Sequence, residues 1–94
     1  MLSLDSTVVA STNQVSSDLA GETVLLNLTT AQYHGFTGVG ARVWELIQSA
    51  RPVREVCATI ASEYEVETAQ CDADVLAFLT QCEERGLLEV RGGA

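Results

Sequence analysis

The sequence predicts a small α+β domain in which an N-terminal three-stranded antiparallel sheet is followed by three helices. Short runs of β-branched and aliphatic residues fill the first 28 positions, whereas after Phe36 the apolar residues recur at the 3.6-residue spacing of helices. With 94 residues, 47% of them hydrophobic, the chain is long enough for one core. We therefore predict a single domain over residues 1–94, ordered from about residue 7 to residue 90, with loose ends.

Three strands are predicted before Leu28, separated by polar or glycine-containing turns. They are Thr7–Ala10, Gln14–Leu19 and Thr23–Leu28. Ala20-Gly21-Glu22 would join the last two as a hairpin. Alternation along the third strand puts Val24, Leu26 and Leu28 on one face and Thr23, Leu25 and Asn27 on the other. The second face is half apolar, so we expect another part of the chain to cover it.

Three helices and a short extended tail are predicted after this sheet. The first covers about Gly38–Ala50 behind the N-cap Thr37, the second runs from Pro52 to near Tyr64, and the third covers about Thr68–Arg85. Gly86 ends the third helix in the position that favours a left-handed cap. Leu87–Val90 then returns to the core as an extended segment.

Composition and charge exclude several classes of function. The net charge is −8, with five arginines and no lysine, so the domain repels phosphate and a nucleic-acid partner is not expected. No apolar run approaches the roughly 20 residues that cross a bilayer, and the N-terminus lacks the features of a signal peptide. We expect a cytoplasmic protein without a membrane partner. Cys57, Cys71 and Cys82 are odd in number and form no close pair, which predicts reduced core residues and no metal site.

No combination of residues in the chain predicts catalysis. His34 is the only histidine, and no motif places a nucleophile beside it, so a structural role in a turn is expected. Asp72 and Asp74 would point about 200° apart on a helix, which argues against a shared metal or proton. The glycine-rich Gly35–Gly40 lacks the lysine of a P-loop and the spacing of GxGxxG, and its glycines are expected to form a hinge between sheet and helix. The sequence thus favours a binding module, with no cofactor, over an enzyme.

The predicted third helix carries a second stripe beside its apolar one. The apolar stripe consists of Cys71, Val75, Phe78, Leu79 and Cys82. In the second stripe, Ala69, Ala73, Leu76 and Thr80 recur at helical spacing, bordered by Asp72 and Glu83. Two interpretations are open: a shallow slot, or a solvent face rich in alanine because alanine favours helices. If Thr23–Leu28 were an edge strand next to this slot, the two together could bind an extended peptide as an added strand.

A resemblance to a known family covers roughly Val8 to Val90. The stretch VLLNLTTAQYHGFTGVGARVWELI, the helix VREVCATIASEYEVE and the ending CDADVLAFLTQCEERGLLEV resemble, in this order and spacing, the small proteins named for the pyrroloquinoline quinone biosynthesis D protein. Phe36-Thr37 replaces the Leu-Asn that is commoner in the family, but it keeps an apolar residue followed by an N-cap.

The resemblance implies a winged-helix-like leader-recognition domain of ribosomally made, post-translationally modified peptides. Members of the family bind the leader of a precursor as a strand against their third strand, in a groove closed by the third helix, and present it to a modifying enzyme. Carried onto this chain, the implied peptide-binding residues lie in the predicted third strand and third helix. They are Val24, Leu25, Leu26, Asn27, Leu28, Asp72, Ala73, Leu76, Leu79, Thr80 and Glu83.

The implied partners are a precursor leader and a modifying enzyme. A leader peptidase and cyclase of lasso-peptide biosynthesis are the first expectation, and the radical SAM enzyme of the quinone pathway is the alternative. An unpaired Thr23–Leu28 edge would also allow a homodimer. Two hypotheses of other classes remain open: a winged-helix transcription regulator, which the acids of the third helix oppose, and a scaffold that no longer binds peptide.

Overall fold

The computed structural model describes residues 2–12, 14–19 and 22–91. Its elements are β1 (Thr7–Ala10), β2 (Gln14–Leu19), β3 (Glu22–Asn27), β4 (Gln32–Thr37), α1 (Gly38–Leu46), β5 (Arg51–Pro52), α2 (Val53–Tyr64), α3 (Thr68–Glu84) and β6 (Leu88–Val90). The predicted α+β class, with a three-stranded antiparallel sheet before three helices, is confirmed. The predicted turn at Ala20-Gly21 and the last three residues lie outside the described ranges.

The three-stranded sheet that precedes the helices contains β2, β3 and β4, in that order. β3 pairs with β2 from Leu19↔Glu22 to Gln14↔Asn27 and with β4 from Glu22↔Thr37 to Asn27↔Gln32. The prediction that Thr23–Leu28 provides a sheet edge is therefore wrong, because β3 has a strand on each side. The homodimer that an unpaired Thr23–Leu28 edge would allow has no free edge of β3 to form through.

β4 is a strand where a hinge was predicted. The sequence predicts a hinge at the glycines and places His34 in a turn. In the structure, however, Gln32–Thr37 pairs along the whole length of β3. The hairpin closes through Asn27, whose Oδ1 accepts hydrogen bonds from the backbone N–H groups of Thr29 (2.9 Å) and Thr30 (3.2 Å). Residues 28–31 are thus the turn, and the residues after it extend back along β3.

The predicted first strand belongs to a second, smaller sheet. β1 lies between β5 and β6, with Val8 opposite both Arg51 and Val90. The segment before it, which was expected to be loose, is packed: Leu2 and Ser6 are buried. It also caps α2, because the N–H groups of Val53 and Arg54 donate to the carbonyls of Ser6 (2.8 Å) and Leu4 (3.0 Å). Residues 2–6 thus satisfy two of the donors that a helix start leaves open.

The core lies between the inner face of the β2–β3–β4 sheet and the helices. Leu25 in the middle of β3 is fully buried, and the ring of Phe36 lies between Trp44 of α1 (centroids 5.7 Å apart) and Phe78 of α3 (5.0 Å, edge to face). Cys57, Cys71 and Cys82 are buried and unpaired, as predicted. Among the described residues, no helix is long and apolar enough to cross a membrane.

The helix ends agree closely with prediction, with one exception. α2 and α3 begin and end within about two residues of the expected positions, and Gly86 after α3 has the left-handed φ of 72°. Thr37 precedes α1 as predicted, although its side chain makes no capping hydrogen bond. α1 ends at Leu46 rather than Ala50, because the chain turns there to form β5, which leads directly into α2.

Candidate functional site

The free edge of β4 runs beside α3. Among the described strands, β2 and β4 are the outer members of their sheet. Only β4 is joined to α3 by a ring contact, that of Phe36 with Phe78, and a Cβ placed on Gly40 just beyond β4 would lie 3.2 Å from the Phe78 ring. The sheet edge and the helix therefore approach each other closely at the end of β4.

The start of β4 is also held near α3. Asn27, which closes the β3–β4 turn, donates a hydrogen bond from Nδ2 to the carbonyl of Arg85 at the C-terminus of α3 (3.4 Å). α3 thus lies along β4, with Arg85 near the start of the strand and Phe78 near its end. We call the space between them the β4–α3 cleft, bounded by Phe36 and Phe78 at one end and by Asn27 and Arg85 at the other.

A small apolar pocket continues the cleft beyond the end of β4. It encloses about 100 Å³ between the start of α1, the end of α2 and the start of α3. Its walls include the partly exposed Val39, Tyr64 and Val66, and its floor includes Ile60 and Val75. Asp74, one turn before Phe78 on the same flank of α3, stands at its border. The pocket can take an apolar side chain, with a carboxylate at the rim.

Some of the predicted site residues are buried and cannot contact a peptide. Leu25 and Leu79 have no exposed surface. The side chain of Asn27 is already hydrogen-bonded to the turn that follows β3 and to the Arg85 carbonyl. The half-apolar face of β3 is the one that the helices cover. Val24 and Leu26 lie on the opposite, outer face of the sheet, and Leu28 follows β3 with a half-exposed side chain. None of these residues lies at a free strand edge.

The predicted residues of α3 lie on the flank away from the cleft. Leu76 precedes Phe78 by two positions, which turns the two side chains about 200° apart on the helix. Asp72 lines a cavity with Leu4, Arg54 and Cys57, on the side of α2 and the N-terminal segment. The others of this set, Ala73, Thr80 and Glu83, fall within the same half of the helix by spacing. Of these residues and the predicted residues of β3, only Asn27 borders the β4–α3 cleft, at the Arg85 end.

A signal for β4 is present in the sequence. Gln32–Thr37 contains Tyr33, Phe36 and Thr37, residue types that are enriched in strands, and it follows a polar turn. His34 and Gly35, in the middle of this segment, make its strand pattern weaker. On α3, Phe78 is predicted in the core stripe, but it is only partly buried and lies where that stripe meets the cleft.

A larger cavity lies elsewhere and has a mixed lining of charged and apolar residues. It measures about 400 Å³ and is lined by residues of β2, β3, α1 and α2, including Asp18, Arg42 and Tyr64. Arg42 is already engaged in a two-pronged ion pair with Glu63 (2.9 and 2.8 Å). The pair holds the pKa of Glu63 below its usual range through hydrogen bonding. The only cation among the residues that line this cavity is therefore already paired.

The thiols do not supply a nucleophile at neutral pH. Burial, followed by the nearby Asp72, raises the pKa of Cys57 to about 12, and burial raises the pKa of Cys82 to about 11. The pKa of Cys71 is also raised, chiefly by burial, and its Sγ donates to the Cys57 carbonyl (3.5 Å). All three remain protonated near pH 7, where a thiol is a poor nucleophile.

These features describe a small domain with an open strand edge beside a helix. The chain belongs to the family described as Coenzyme PQQ synthesis protein D (PqqD), whose pattern it matches over residues 22–88. This range begins at β3 and ends in β6, so it includes both sides of the cleft. No curated protein sequence matches the chain significantly.

Two solved structures share this fold. One, described as TbiB1 in complex with the TbiA(beta) leader peptide, has a TM-score of 0.81 and 34% identity, covering 89% of this chain and 98% of that chain. The other, described as lasso peptide synthetase B1 complexed with the leader peptide, has a TM-score of 0.77 and 21% identity, covering 87% and 96%. The second supports the fold alone, whereas the first is similar in sequence as well.

Proposed function

We propose that this domain binds the leader segment of a ribosomally synthesised precursor peptide and delivers it to a modifying enzyme. The observation that carries the proposal is the open edge of β4 lying along α3. An extended peptide can pair with that edge as a fourth strand, and the backbone hydrogen bonds would supply much of the affinity. The family and the leader-bound relative at 34% identity support the same role.

Strand addition at β4 divides the side chains of the leader into two sets. Successive residues of a strand point to opposite faces, so every second leader residue would enter the β4–α3 cleft and face Phe78. The remaining residues would point to the outer face of the sheet, beside Tyr33 and Gly35. Sequence selectivity should therefore come from alternate positions of the leader, with apolar residues preferred on the cleft side.

The apolar pocket would receive a further side chain of the leader. It begins where β4 ends, so a peptide that continues past the paired stretch reaches Val39 and Val66 next. Burying one aliphatic or aromatic side chain there would contribute roughly 1.5–3 kcal/mol. Asp74 at the rim favours a neutral or basic neighbour in the leader.

The enzyme that receives the peptide is proposed to be the leader peptidase of a lasso-peptide pathway, acting with a cyclase. The fold shared with lasso peptide synthetase B1 complexed with the leader peptide favours this partner over the radical SAM enzyme of the quinone pathway. A DNA-reading role is not supported, because α3 carries Asp72, Asp74, Glu83 and Glu84 and contains no basic residue.

Titration with a fluorescent leader peptide tests the site. The peptide would come from the precursor gene beside this one, with a scrambled leader as control. Phe78→Ala and Leu76→Ala are a matched pair, since both side chains are partly buried on α3 but lie on opposite flanks. We expect Phe78→Ala to weaken binding by about tenfold, corresponding to roughly 1.4 kcal/mol of lost contact.

The possible outcomes of this titration test two things separately: whether the domain binds a leader, and where on the domain the leader binds. Failure of the unaltered domain to bind the leader would overturn the proposed function. Binding that Leu76→Ala weakens and Phe78→Ala leaves intact would move the site to the other flank of α3. Urea unfolding of both variants, monitored by circular dichroism, excludes loss of the fold as the cause.

Methylation of single backbone nitrogens in the leader tests strand addition directly. A methyl group removes one donor without changing a side chain. In an added strand, alternate residues direct their N–H groups toward β4, so affinity should fall at every second position. Losses without this period of two would argue against pairing with the sheet edge.

A further inference from the structure

Arg85 differs from the other arginines of the chain in its charge partners. Each of the others forms an ion pair with a carboxylate, at nitrogen–oxygen distances from 2.7 to 3.9 Å; they are Arg42, Arg51, Arg54 and Arg91. Arg85 forms no ion pair with any residue that the structure describes. With 13 acidic residues against five basic ones, the chain offers many carboxylates. The guanidinium of Arg85 is therefore available to a carboxylate from outside the domain.

Arg85 lies on the flank of α3 that borders the β4–α3 cleft. It follows Phe78 by seven positions, which is close to two helical turns, so the two residues share a flank about 10 Å apart along the helix. The helical hydrogen bonding extends to this residue, because the N–H of Arg85 donates to the carbonyl of Gln81 (3.2 Å). The unpaired arginine thus stands at the end of the cleft where β4 begins.

A cavity of about 330 Å³ opens between Arg85 and the turn that joins β3 to β4. Its lining includes Asn27, Thr30 and Glu84. The Thr30 hydroxyl accepts a hydrogen bond from the N–H of Gln32 (3.3 Å), so its own proton can be donated. A guanidinium and a hydroxyl donor are groups that bind carboxylates.

Two features limit the attraction of this cavity for an anion. Glu84 also lines it, but neighbouring residues of a helix point about 100° apart, so Glu84 and Arg85 lie on different flanks. A cation at the C-terminus of a helix also stabilises the helix, which favours an arginine there even without a peptide. Only coupling between Arg85 and a charge on the peptide distinguishes recognition from this structural role.

We propose that Arg85 is a specificity-determining residue that pairs with a carboxylate side chain of the bound leader. This inference rests on the proposed function. A leader paired with β4 passes Phe78 and reaches the cavity at Arg85, and the 10 Å between them corresponds to about three residues of a strand. Because alternate residues face the cleft, the acidic residue lies two or four positions from the leader residue that faces Phe78. The leaders that this domain selects carry an aspartate or glutamate there.

A panel of charged leader peptides tests this pairing. The probe is the fluorescent leader encoded by the precursor gene beside this one, with each residue replaced in turn by glutamate and by arginine. Fluorescence anisotropy measures its affinity for the unaltered domain, for Arg85→Glu and for Arg91→Glu. Arg91 is the matched control, because it follows β6 in the other sheet and its reversal changes the net charge by the same amount.

We expect one position of the leader at which glutamate binds about fivefold more tightly than arginine, the effect of one exposed ion pair. Elsewhere the net charge of −8 favours arginine in the peptide. Arg85→Glu should reverse the preference at that one position, and Arg91→Glu should retain it. If Arg85→Glu does not fold, Arg85→Gln should abolish the preference without reversing it.

Failure of this inference is distinguishable from failure of the proposed function. Absence of binding between the unaltered domain and the unaltered leader would remove the function itself. Binding of that leader without any position that prefers glutamate would overturn the role of Arg85 alone. The same conclusion follows if the preference survives in the Arg85 variants, or if Arg91→Glu removes it equally. Lower stability of Arg85→Gln in urea with an unchanged preference would assign Arg85 to the helix end only.

Discussion

β2 and β4 are the two outer strands of one sheet, both six residues long and both paired to β3 along their whole length. They differ in what lies beside their free edges. β4 has α3 next to it, tied by Phe36 and Phe78 at one end and by Asn27 and Arg85 at the other. Among the described residues, no ring contact joins β2 to α3, and β2 instead bonds to the chain beyond the helix, where Gln14 Nε2 donates to the Leu87 carbonyl (2.9 Å).

The difference shows why an unpaired edge alone does not define a peptide site. Backbone groups at an edge can pair with almost any extended chain, so they provide affinity but little discrimination. Side chains of a neighbouring helix add discrimination, because they contact alternate residues of the added strand. β4 meets both requirements, and β2 meets the first only.

The largest expected effect comes from the inner face of β4. Phe36→Ala removes the ring that packs against Trp44 and Phe78, and we expect it to lower the free energy of unfolding by about 3–5 kcal/mol. Val15→Ala on β2 should change it by less than about 0.5 kcal/mol, because that side chain is 55% exposed. Urea denaturation measures both. Similar losses in the two variants would mean that both outer strands anchor the core equally.

Photo-cross-linking compares the two edges as peptide sites. A benzophenone amino acid would replace Gln32 on β4 or Ser16 on β2, both of which are exposed. We expect a labelled leader to cross-link through position 32 and not through position 16, since only β4 borders the cleft. Excess unlabelled leader should abolish the product. Equal cross-linking at both positions would show that strand addition does not depend on α3.

The sequence predicts the fold better than it predicts the edge of the sheet. Helix periodicity places α2 and α3, because burial along a helix follows the 3.6-residue repeat whatever the neighbours are. Whether a strand lies at the edge or in the centre of a sheet depends on which strands pair with it. The apolar pattern of Thr23–Leu28 suits either position. Because a hinge is predicted at Gly35–Gly40 and no strand is predicted between Leu28 and that hinge, β3 is left with one partner strand and is predicted as an edge.

The proposed role of Phe78 on α3 is not predicted by the sequence for a related reason. Periodicity distinguishes the buried stripe from its surroundings, but it does not say which border of the stripe adjoins the sheet edge. Phe78 and Leu76 stand on opposite borders and are both partly buried. The contact with Phe36, far earlier in the chain, decides between them, and local pattern contains no information about that contact.

A smaller effect is expected at Gly35, in the middle of β4. Its backbone does not have a positive φ, and a Cβ there meets only the flexible end of Glu22 at 3.2 Å. Gly35→Ala should therefore raise the free energy of unfolding by about 0.5–1 kcal/mol, since glycine weakens a strand. Leader affinity should not change, because the methyl group stands on the outer face. Destabilisation would show that Glu22 cannot move aside.

Gly40→Ala gives the smallest change in stability and tests how closely α3 must approach β4. The new Cβ lies 3.2 Å from the Phe78 ring edge, so the ring has to move by a few tenths of an ångström. Phe78 is only partly buried and can move toward the cleft. The gain in helix propensity, about 1 kcal/mol, then offsets the crowding, and the net stability change stays below about 1 kcal/mol.

The same displacement narrows the space for the added strand. Gly40→Ala should therefore weaken leader binding, whereas Gly35→Ala, the same substitution on the outer face, should not. Titration of both variants with one leader peptide compares them directly, and urea unfolding verifies that both are folded. If the two variants bind equally well, the leader does not contact Phe78, and the affinity comes from the backbone edge of β4 without the helix.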